Sequence, residues 1–230
     1  MVKAVFFDFN GVIIDDERLQ MEAYREVLSA HLVDLTEADY FAALGMDDKT
    51  FVRAAFARAD RELTDEVLSS VLVCKGERHR KLIEDELPLF PGVVTFLKAA
   101  ARSYPLGVVS MATINEIAYV LERAKLRALF TVVVSAEDVS VCKPAPDCYR
   151  IGLEKLNEKR QAEGKGSLHS RECLVVEDSP PGIEAALQAG MRTLGVTNTV
   201  NETALRAAGA EVVTHSLADW NVDAVRHVFS

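Results

Sequence analysis

Five short and almost uninterrupted apolar runs constrain the fold of this chain more than any other feature. A run that is apolar without alternation predicts a strand buried on both faces, and strands that alternate with helical patterns predict a parallel sheet covered on both sides. The predicted strands are VKAVFF (2–7), LGVVS (106–110), FTVVVS (130–135), CLVV (173–176) and RTLGV (192–196), with helical patterns over 95–103, 114–125, 147–159 and 182–190. We therefore predict an α/β fold. The polar segment 157–171 is predicted to be an exposed loop or a frayed helix end.

The segment between the first two strands is long and contains no strand pattern. From Glu17 to Leu87 four helical patterns follow one another, over 17–30, 35–45, 48–59 and 64–85. PLFPG (88–92) then marks the return to the strand-helix alternation. We predict a helical domain over 17–87, inserted into a core domain made of 1–16 and 88–230.

The last helix of the insertion carries a lysine on its apolar stripe. The stripe runs Leu68, Leu72, Lys75, His79 and Leu82, in steps of four and three residues. A lysine on a buried stripe is unusual. It is either a side chain that extends its ammonium to water at the domain edge or a residue that reaches into the cleft between the domains.

Polar residues stand where the predicted strands end. They are Asp8 and Asn10 after the first strand, Ser110 after the second, Lys143 beyond the third, and Glu177 and Asp178 after the fourth. Each has a local explanation when taken alone, such as an Asx turn or a helix cap. Ligands of open parallel sheets, however, bind at the carboxyl ends of the strands. Together these residues therefore predict one functional site.

Charge and cysteine content exclude several classes of function. The net charge is −9, so that nucleic acid and anionic membranes are expected to be repelled. No apolar run is long enough to span a bilayer, and Asp8 interrupts the N-terminal run, which argues against a signal peptide. Cys74, Cys142, Cys148 and Cys173 have neither zinc-site nor CxxC spacing. They predict reduced thiols and a cytoplasmic location.

The strand-end motifs resemble those of the haloacid dehalogenase superfamily, in its branch of small phosphatases and β-phosphoglucomutase-like enzymes. The matching stretches are DFNGVIID (8–15) for the family's DxDGxxxD, Ser110, Lys143 in KPAPD, and EDSPPGIEAALQAGM (177–191). The resemblance covers the whole chain. It implies a Rossmann-like core and a helical cap that opens and closes over the cleft, and residues 17–87 are called the cap below.

The resemblance implies phosphoryl transfer at Asp8, and elementary chemistry explains the neighbouring residues. Asp8 would attack phosphorus and form an aspartyl-phosphate, which divides one difficult step into two. An anionic nucleophile that approaches an anionic phosphate needs cations beside it, and Mg²⁺ with oxygen ligands would supply one. The expected ligands are Asp8, Asp178 and the backbone carbonyl of Asn10, with Glu177 further out or acting through a water.

The phosphate itself needs further positive groups. Lys143 would neutralise the phosphate and Asp8 together. Ser110 and the backbone amides of Gly11, Met111 and Ala112 are predicted to bind phosphate oxygens.

Asn10 departs from the family pattern. In the family an aspartate there protonates the leaving oxygen and then deprotonates the attacking water, and an amide can do neither. Such acid–base assistance is worth about 10²–10⁴ in rate. We therefore expect a slow enzyme, one for good leaving groups, or a variant engineered to trap an intermediate. A dehalogenase would also lack that aspartate, but it would have no use for the acidic pair Glu177-Asp178.

Cap positions decide between a phosphatase and a mutase. Gln20 and Asp48 stand where the mutase branch has a histidine and an arginine, whereas Lys75 matches a cap lysine of that branch. An acid in place of the arginine disfavours a bisphosphate intermediate. We therefore predict a phosphatase for a small phosphorylated metabolite, with a mutase second. Because of Asn10, a catalytically impaired phosphate-binding or regulatory protein is third. A monomer is favoured.

Overall fold

A sheet of six parallel strands forms the centre of the molecule. The computed structural model describes residues 1–230, and its strand order is β3-β2-β1-β4-β5-β6. The strands are β1 (Ala4–Phe7), β2 (Leu106–Val109), β3 (Phe130–Val134), β4 (Cys173–Glu177), β5 (Arg192–Val196) and β6 (Val212–Thr214). The predicted α/β fold is confirmed, and all five predicted strands are present. The sixth was not predicted, because it is a half-buried edge strand of three residues.

Ten α-helices surround the sheet and form the cap. They are α1 (Glu17–Ser29), α2 (Glu37–Phe41), α3 (Asp48–Arg58), α4 (Asp65–Leu82), α5 (Val93–Ala100), α6 (Ile114–Arg123), α7 (Asp147–Ala162), α8 (Pro180–Gln188), α9 (Glu202–Ala207) and α10 (Val222–Val228). Helix α7 takes in the first part of the polar segment, and residues 163–167 beyond it are exposed. The short helices α9 and α10 were not predicted.

The alternation of side chains along β1 explains why its sequence is continuously apolar. Val5 and Phe7 pack into an apolar cluster on one face of the sheet, whereas Ala4 and Phe6 pack into a separate cluster on the other face. All four side chains are fully buried. Because helices cover both faces, neither side of the strand can carry a polar residue until the strand ends.

The cap has an apolar core of its own. Aromatic and aliphatic side chains of α1, α3 and α4 form a cluster separate from those against the sheet, with Tyr24, Leu28, Phe51 and Val71 among its members. The two chain connections to the core run side by side, since the amide of Asp15 donates to the Pro88 carbonyl at 2.6 Å. Their pairing supports a division at 17 and 87, which we propose as the domain limits. No helix is both long and apolar enough to cross a membrane.

Candidate active site

Sheet order brings the predicted strand-end residues together. Strands β2, β1 and β4 are neighbours in the sheet, and Ser110, Asp8 and Asp178 directly follow them. The chain runs from β1 toward both sides of the sheet, which creates the crevice where ligands of such folds bind. A cavity between core and cap is lined by Asp8, Asn10, Gln20, Lys75, Ser110, Met111, Ala112, Lys143 and Asp178. Gly11 and Glu177 lie behind its wall.

Lys143 joins two carboxylates at the floor of the cavity. Its Nζ donates to Asp8 Oδ1 at 2.8 Å and also donates to Glu177 Oε1. Burial alone would lower the pKa of Lys143, but these two carboxylates raise it well above its usual range. Lys143 is therefore a fixed cation beside Asp8, as predicted for a group that neutralises an incoming phosphate.

Glu177 is completely buried and its carboxylate is fully occupied. Oε1 accepts from Lys143 and from the Tyr149 hydroxyl, while Oε2 accepts from the Asp178 amide and from the amide and hydroxyl of Ser179. Burial would raise its pKa, yet Lys143 and the other donors lower it. With every lone pair engaged, Glu177 holds Lys143 in place and is poorly suited to bind a metal directly.

Asp8 and Asp178 carry more negative charge than their surroundings balance. Carboxylate oxygens of Asp8, Glu177 and Asp178 all lie within 4.8 Å of one another. Burial raises the pKa of Asp8 to about 7, with Lys143 opposing and Glu177 adding to the shift. Burial, Glu177 and Asp8 also raise the pKa of Asp178 well above its usual range. Crowded oxygen ligands of this kind fit a hard divalent cation such as Mg²⁺.

Two glycines make room for these carboxylates. A Cβ on Gly11, whose φ is +73°, would lie 1.9 Å from Asp178 Oδ2. A Cβ on Gly182 would lie 1.7 Å from Glu177 Oε1. At positions 11 and 182, the carboxylates thus fill the space that the side chain of any residue other than glycine would need.

Two of the three predicted phosphate-binding amides are already bonded within the protein. The Gly11 amide donates to the Ile14 carbonyl at 2.9 Å, and the Ala112 amide donates to Ser110 Oγ at 3.0 Å. The turns that carry these two amides therefore satisfy their N–H groups in this structure, and their role in phosphate binding stays a prediction. The Met111 amide has no acceptor within the protein and remains free for a phosphate oxygen.

Asn10 is held in one orientation by Asp16. Asn10 Nδ2 lies 3.0 Å from each carboxylate oxygen of Asp16, and its Oδ1 faces Ser110 Oγ at 3.4 Å. Asp16 is completely buried, and it also accepts from Gln20 Nε2 at 3.1 Å. His79 Nε2 approaches it to 2.9 Å in a close contact without hydrogen-bond alignment. An amide at position 10 supplies the donors that this carboxylate needs, whereas a second carboxylate there would repel it.

Lys75 lies inside the interface between cap and core. Its Nζ donates to Asp48 Oδ2 at 2.9 Å and to Glu116 Oε1 at 3.0 Å, and it lies 5.0 Å from the centre of the Tyr24 ring. Burial alone would lower the pKa of Lys75, but the two carboxylates raise it. Burial alone would raise the pKa of Glu116, but Lys75 lowers it to about 2. The cleft interpretation of this lysine agrees with the geometry.

Sequence reasoning missed several polar residues of the site. They are Asp16, Glu17, Tyr24, Tyr40, His79 and Glu116. His79 was noticed only as a stripe member, and its position four residues after Lys75 was a signal that both point the same way. Glu116 belongs to a capping box with Thr113, which gave it a sufficient local explanation.

Comparisons with known proteins agree with this geometry. The model of the haloacid dehalogenase-like hydrolase family matches residues 2–190. The chain therefore belongs to that family, and the prediction of a phosphoric monoester hydrolase of this type is confirmed.

Relatives and a solved structure cover nearly the whole chain. It is similar to a phosphorylated carbohydrates phosphatase of Thermotoga maritima, 29% identical over 91% of this chain and 92% of the relative. It is also similar to a phosphoglycolate phosphatase of Yersinia pseudotuberculosis, 28% identical over 85% and 81% of the two chains. The crystal structure of β-phosphoglucomutase from Clostridium difficile has a TM-score of 0.86 at 19% identity and covers 100% of this chain and 97% of its own, which supports the fold.

Proposed function

We propose that this protein is a Mg²⁺-dependent phosphatase that hydrolyses a small phosphorylated metabolite through an aspartyl-phosphate on Asp8. One observation carries the proposal. A carboxylate at the end of the central strand lies 2.8 Å from a buried lysine and beside a second, unbalanced carboxylate, Asp178. A nucleophile, a fixed cation and a set of oxygen ligands are the parts that attack on a phosphate ester requires.

The proposed reaction has two chemical steps. In the first, an Asp8 oxygen forms a bond to phosphorus while the bond to the alcohol oxygen breaks, and that oxygen takes up a proton from solvent water. In the second, water bonds to phosphorus and gives up a proton to solvent, the Asp8–phosphorus bond breaks, and the Asp8 carboxylate and inorganic phosphate are released. Lys143, the Ser110 hydroxyl and the Met111 amide face the charge that develops on the phosphate oxygens.

A divalent cation fits the acidic end of the cavity. Asp8, Asp178 and the backbone carbonyl of Asn10 would hold it. When bound, it supplies positive charge to the phosphate and separates two carboxylates that otherwise repel each other. The oxygen-only donors favour Mg²⁺ over softer metals. The proposal includes a cytoplasmic location, which the scattered reduced cysteines support.

The Asn10 amide determines which phosphate esters are expected to be hydrolysed fast. Held by Asp16, it presents Oδ1 as an acceptor and has no proton to give to a leaving oxygen. Alkyl phosphates, which need that proton, should react about 10²–10⁴ more slowly than with an acid in place. Aryl esters such as p-nitrophenyl phosphate, whose leaving group needs no proton, should react well.

A second candidate, a phosphate-binding protein without turnover, is favoured by the same amide. A mutase has less support, because Asp48 and Lys75 pair with each other and leave no cation for a second phosphate. The phosphorylated carbohydrates phosphatase among the relatives supports hydrolysis of a sugar phosphate.

Phosphate release decides between these functions. The protein is incubated with p-nitrophenyl phosphate and a panel of sugar phosphates, with Mg²⁺ and with EDTA. Turnover of the aryl ester that depends on Mg²⁺ is the expected result. Tight binding of a phosphate ester without any release would support the binding protein, and full activity in EDTA would overturn the metal requirement.

A further inference from the structure

Resting on the proposed function, we propose that the substrate's alcohol part carries an ammonium group, as in an amino sugar phosphate or amino alcohol phosphate. We assign Glu17 and Gln20 as the residues that select it. Both lie on α1, three residues apart, and both line the cavity. Side chains three apart on a helix are neighbours on one face.

The cap side of the cavity has no free cation for an anionic group. Its charged residues are Glu17, Asp48 and Lys75, and Glu116 of core helix α6 lies beside them, so three carboxylates face one lysine. Lys75 is already bonded to both Asp48 and Glu116. A carboxylate or a second phosphate on the substrate would therefore meet net negative charge, and an ammonium group would meet the opposite.

The residues of this wall carry unpartnered acceptors rather than donors. Glu17 Oε2 accepts from the Tyr40 hydroxyl at 2.6 Å, and Glu17 Oε1 has no donor within the protein. Gln20 Oε1 is buried and has no donor either. The amide of Gln20 cannot be reversed to change this, because its Nε2 donates to the Asp16 carboxylate.

An ammonium group would supply the hydrogen-bond donors that these two acceptors lack. It offers three N–H donors, enough for Glu17 Oε1 and Gln20 Oε1 together. The rings of Tyr24 and Tyr40 also line the cavity, and aromatic faces attract cations. Burial and the nearby Asp16 raise the pKa of Glu17 to about 7, which marks an acid without a cationic partner.

A matched series of esters isolates the charge of the substrate. O-phosphoethanolamine, 2-hydroxyethyl phosphate and phosphoglycolate share a two-carbon chain that ends in an ammonium, a hydroxyl or a carboxylate. Glucosamine 6-phosphate and glucose 6-phosphate make a second pair with a longer span. We expect kcat/KM to fall at least about tenfold from ammonium to hydroxyl in one of the two sets, as one charge pair in a cavity implies. The carboxylate ester should be the poorest substrate.

Two variants distinguish a loss of substrate selectivity from a general loss of activity. Glu17→Gln should bring the ammonium-to-hydroxyl ratio of kcat/KM close to one. Glu62→Gln, the same change at an exposed cap residue without a side-chain partner, should leave the ratio as it is. A ratio that Glu17→Gln does not change would overturn the assignment of this residue.

Failure of this inference differs from failure of the proposed function. Hydrolysis of p-nitrophenyl phosphate with equal or lower activity on both ammonium esters would overturn the inference alone. If no ester is hydrolysed, calorimetric dissociation constants for the same esters still test it, measured with Mg²⁺ on the unmodified protein. Tighter binding of the ammonium esters by about tenfold would support it, and equal binding would overturn it.

Discussion

Two buried lysines, one in the core and one in the cap, have nearly the same surroundings and different effects on their neighbours. Each bonds to two carboxylates and lies about 5 Å from the centre of a tyrosine ring. The core cluster is Lys143 with Asp8, Glu177 and Tyr149, and the cap cluster is Lys75 with Asp48, Glu116 and Tyr24. Both lysines are at least 94% buried.

The clusters differ in charge balance and in the elements that build them. The core cluster lies within one domain and has a third carboxylate, Asp178, beside it, so it lacks a positive charge. The cap cluster joins α3 and α4 to Glu116 of α6, and it must separate when the cap opens. The core cluster can therefore bind a cation with residues of one domain alone, whereas the cap cluster joins the cap to the core by charge pairing.

Removing the nucleophile should have the largest effect on the core cluster. Asp8→Asn should lower turnover of p-nitrophenyl phosphate by at least about 10⁴-fold, since no other carboxylate can form the phosphoenzyme. Thermal unfolding should show no loss of stability, because the change removes one of three crowded carboxylates. Turnover near the parent level would contradict the aspartyl-phosphate mechanism.

Asp16 binds the Asn10 amide and contacts His79, and exchanging it with Asn10 should restore acid–base assistance. Asn10→Asp alone places a carboxylate about 3.0 Å from that of Asp16, and the pair repels. Asn10→Asp with Asp16→Asn keeps the donor and acceptor pairing and moves the acid to position 10. Phosphoryl transfer from an alkyl phosphate should then accelerate by up to about 10²–10⁴.

Rapid-quench kinetics on an alkyl and an aryl phosphate test this exchange. The aryl ester should change little in its first step, because nitrophenolate leaves without a proton. The parent should accumulate more phosphoenzyme than the double variant. If neither variant alters turnover on either ester, another residue supplies the proton, and Asp15→Asn would be the next variant to measure.

Breaking the cap cluster should cost stability. Lys75→Met leaves the partly buried carboxylates of Asp48 and Glu116 without a cation, which should lower the free energy of unfolding by up to roughly 3–5 kcal/mol. Lys49→Met is the matched control, because Lys49 is an exposed lysine of cap helix α3, next to Asp48, and bonds to no side chain. Urea denaturation compares the stability of the two variants. Equal midpoints would mean that the ion pairs of Lys75 do not stabilise the fold. Adding Asp48→Asn to Lys75→Met should recover part of the loss.

The two clusters should respond to pH with opposite sign in EDTA. The pKa of Asp8 rises from 3.8 to about 7 on folding, so the folded state binds the extra proton and stability should fall as pH rises between about 4 and 7. The pKa of Glu116 falls from 4.5 to about 2, so its contribution is present above pH 4.5 and is lost as pH falls toward 2.

Unfolding temperatures measured between pH 4.5 and 7.5 in EDTA isolate the pH dependence of stability that comes from Asp8. Asp8→Asn should reduce the change in unfolding free energy across this pH range by on the order of 3 kcal/mol. Saturating Mg²⁺ should also reduce it for the unmodified protein, since a bound cation favours the ionised carboxylate. An unchanged slope in Asp8→Asn would show that Asp8 ionises as it does in the unfolded chain.

The sequence predicted the core cluster and missed most of the cap cluster, for physical reasons. Asp8, Ser110 and Asp178 follow buried apolar strands, and parallel strands end at one edge of a sheet, so their proximity follows from local pattern. Lys75 was visible as an anomaly, but its partners Asp48 and Glu116 lie 27 and 41 residues away. Their meeting depends on how the cap sits on the core, which no local pattern encodes.

The hydrogen bonds of the predicted phosphate-binding amides have a different origin. Whether the amides of Gly11 and Ala112 are free depends on the turns that contain them, and those turns bond internally. The edge strand β6 was missed because three half-buried residues carry too little apolar pattern.

The absent side chains of Gly11 and Gly182 have a consequence for how this sequence can diverge. Neither glycine takes part in the proposed chemistry, yet an alanine at either would overlap a carboxylate oxygen. Positions 11 and 178, and likewise 182 and 177, therefore cannot drift independently, and a lineage that replaces one member must first give up the acid opposite it. A descendant that has lost either glycine is therefore expected to have lost the acid opposite it as well, and with it a residue of the proposed phosphoryl chemistry.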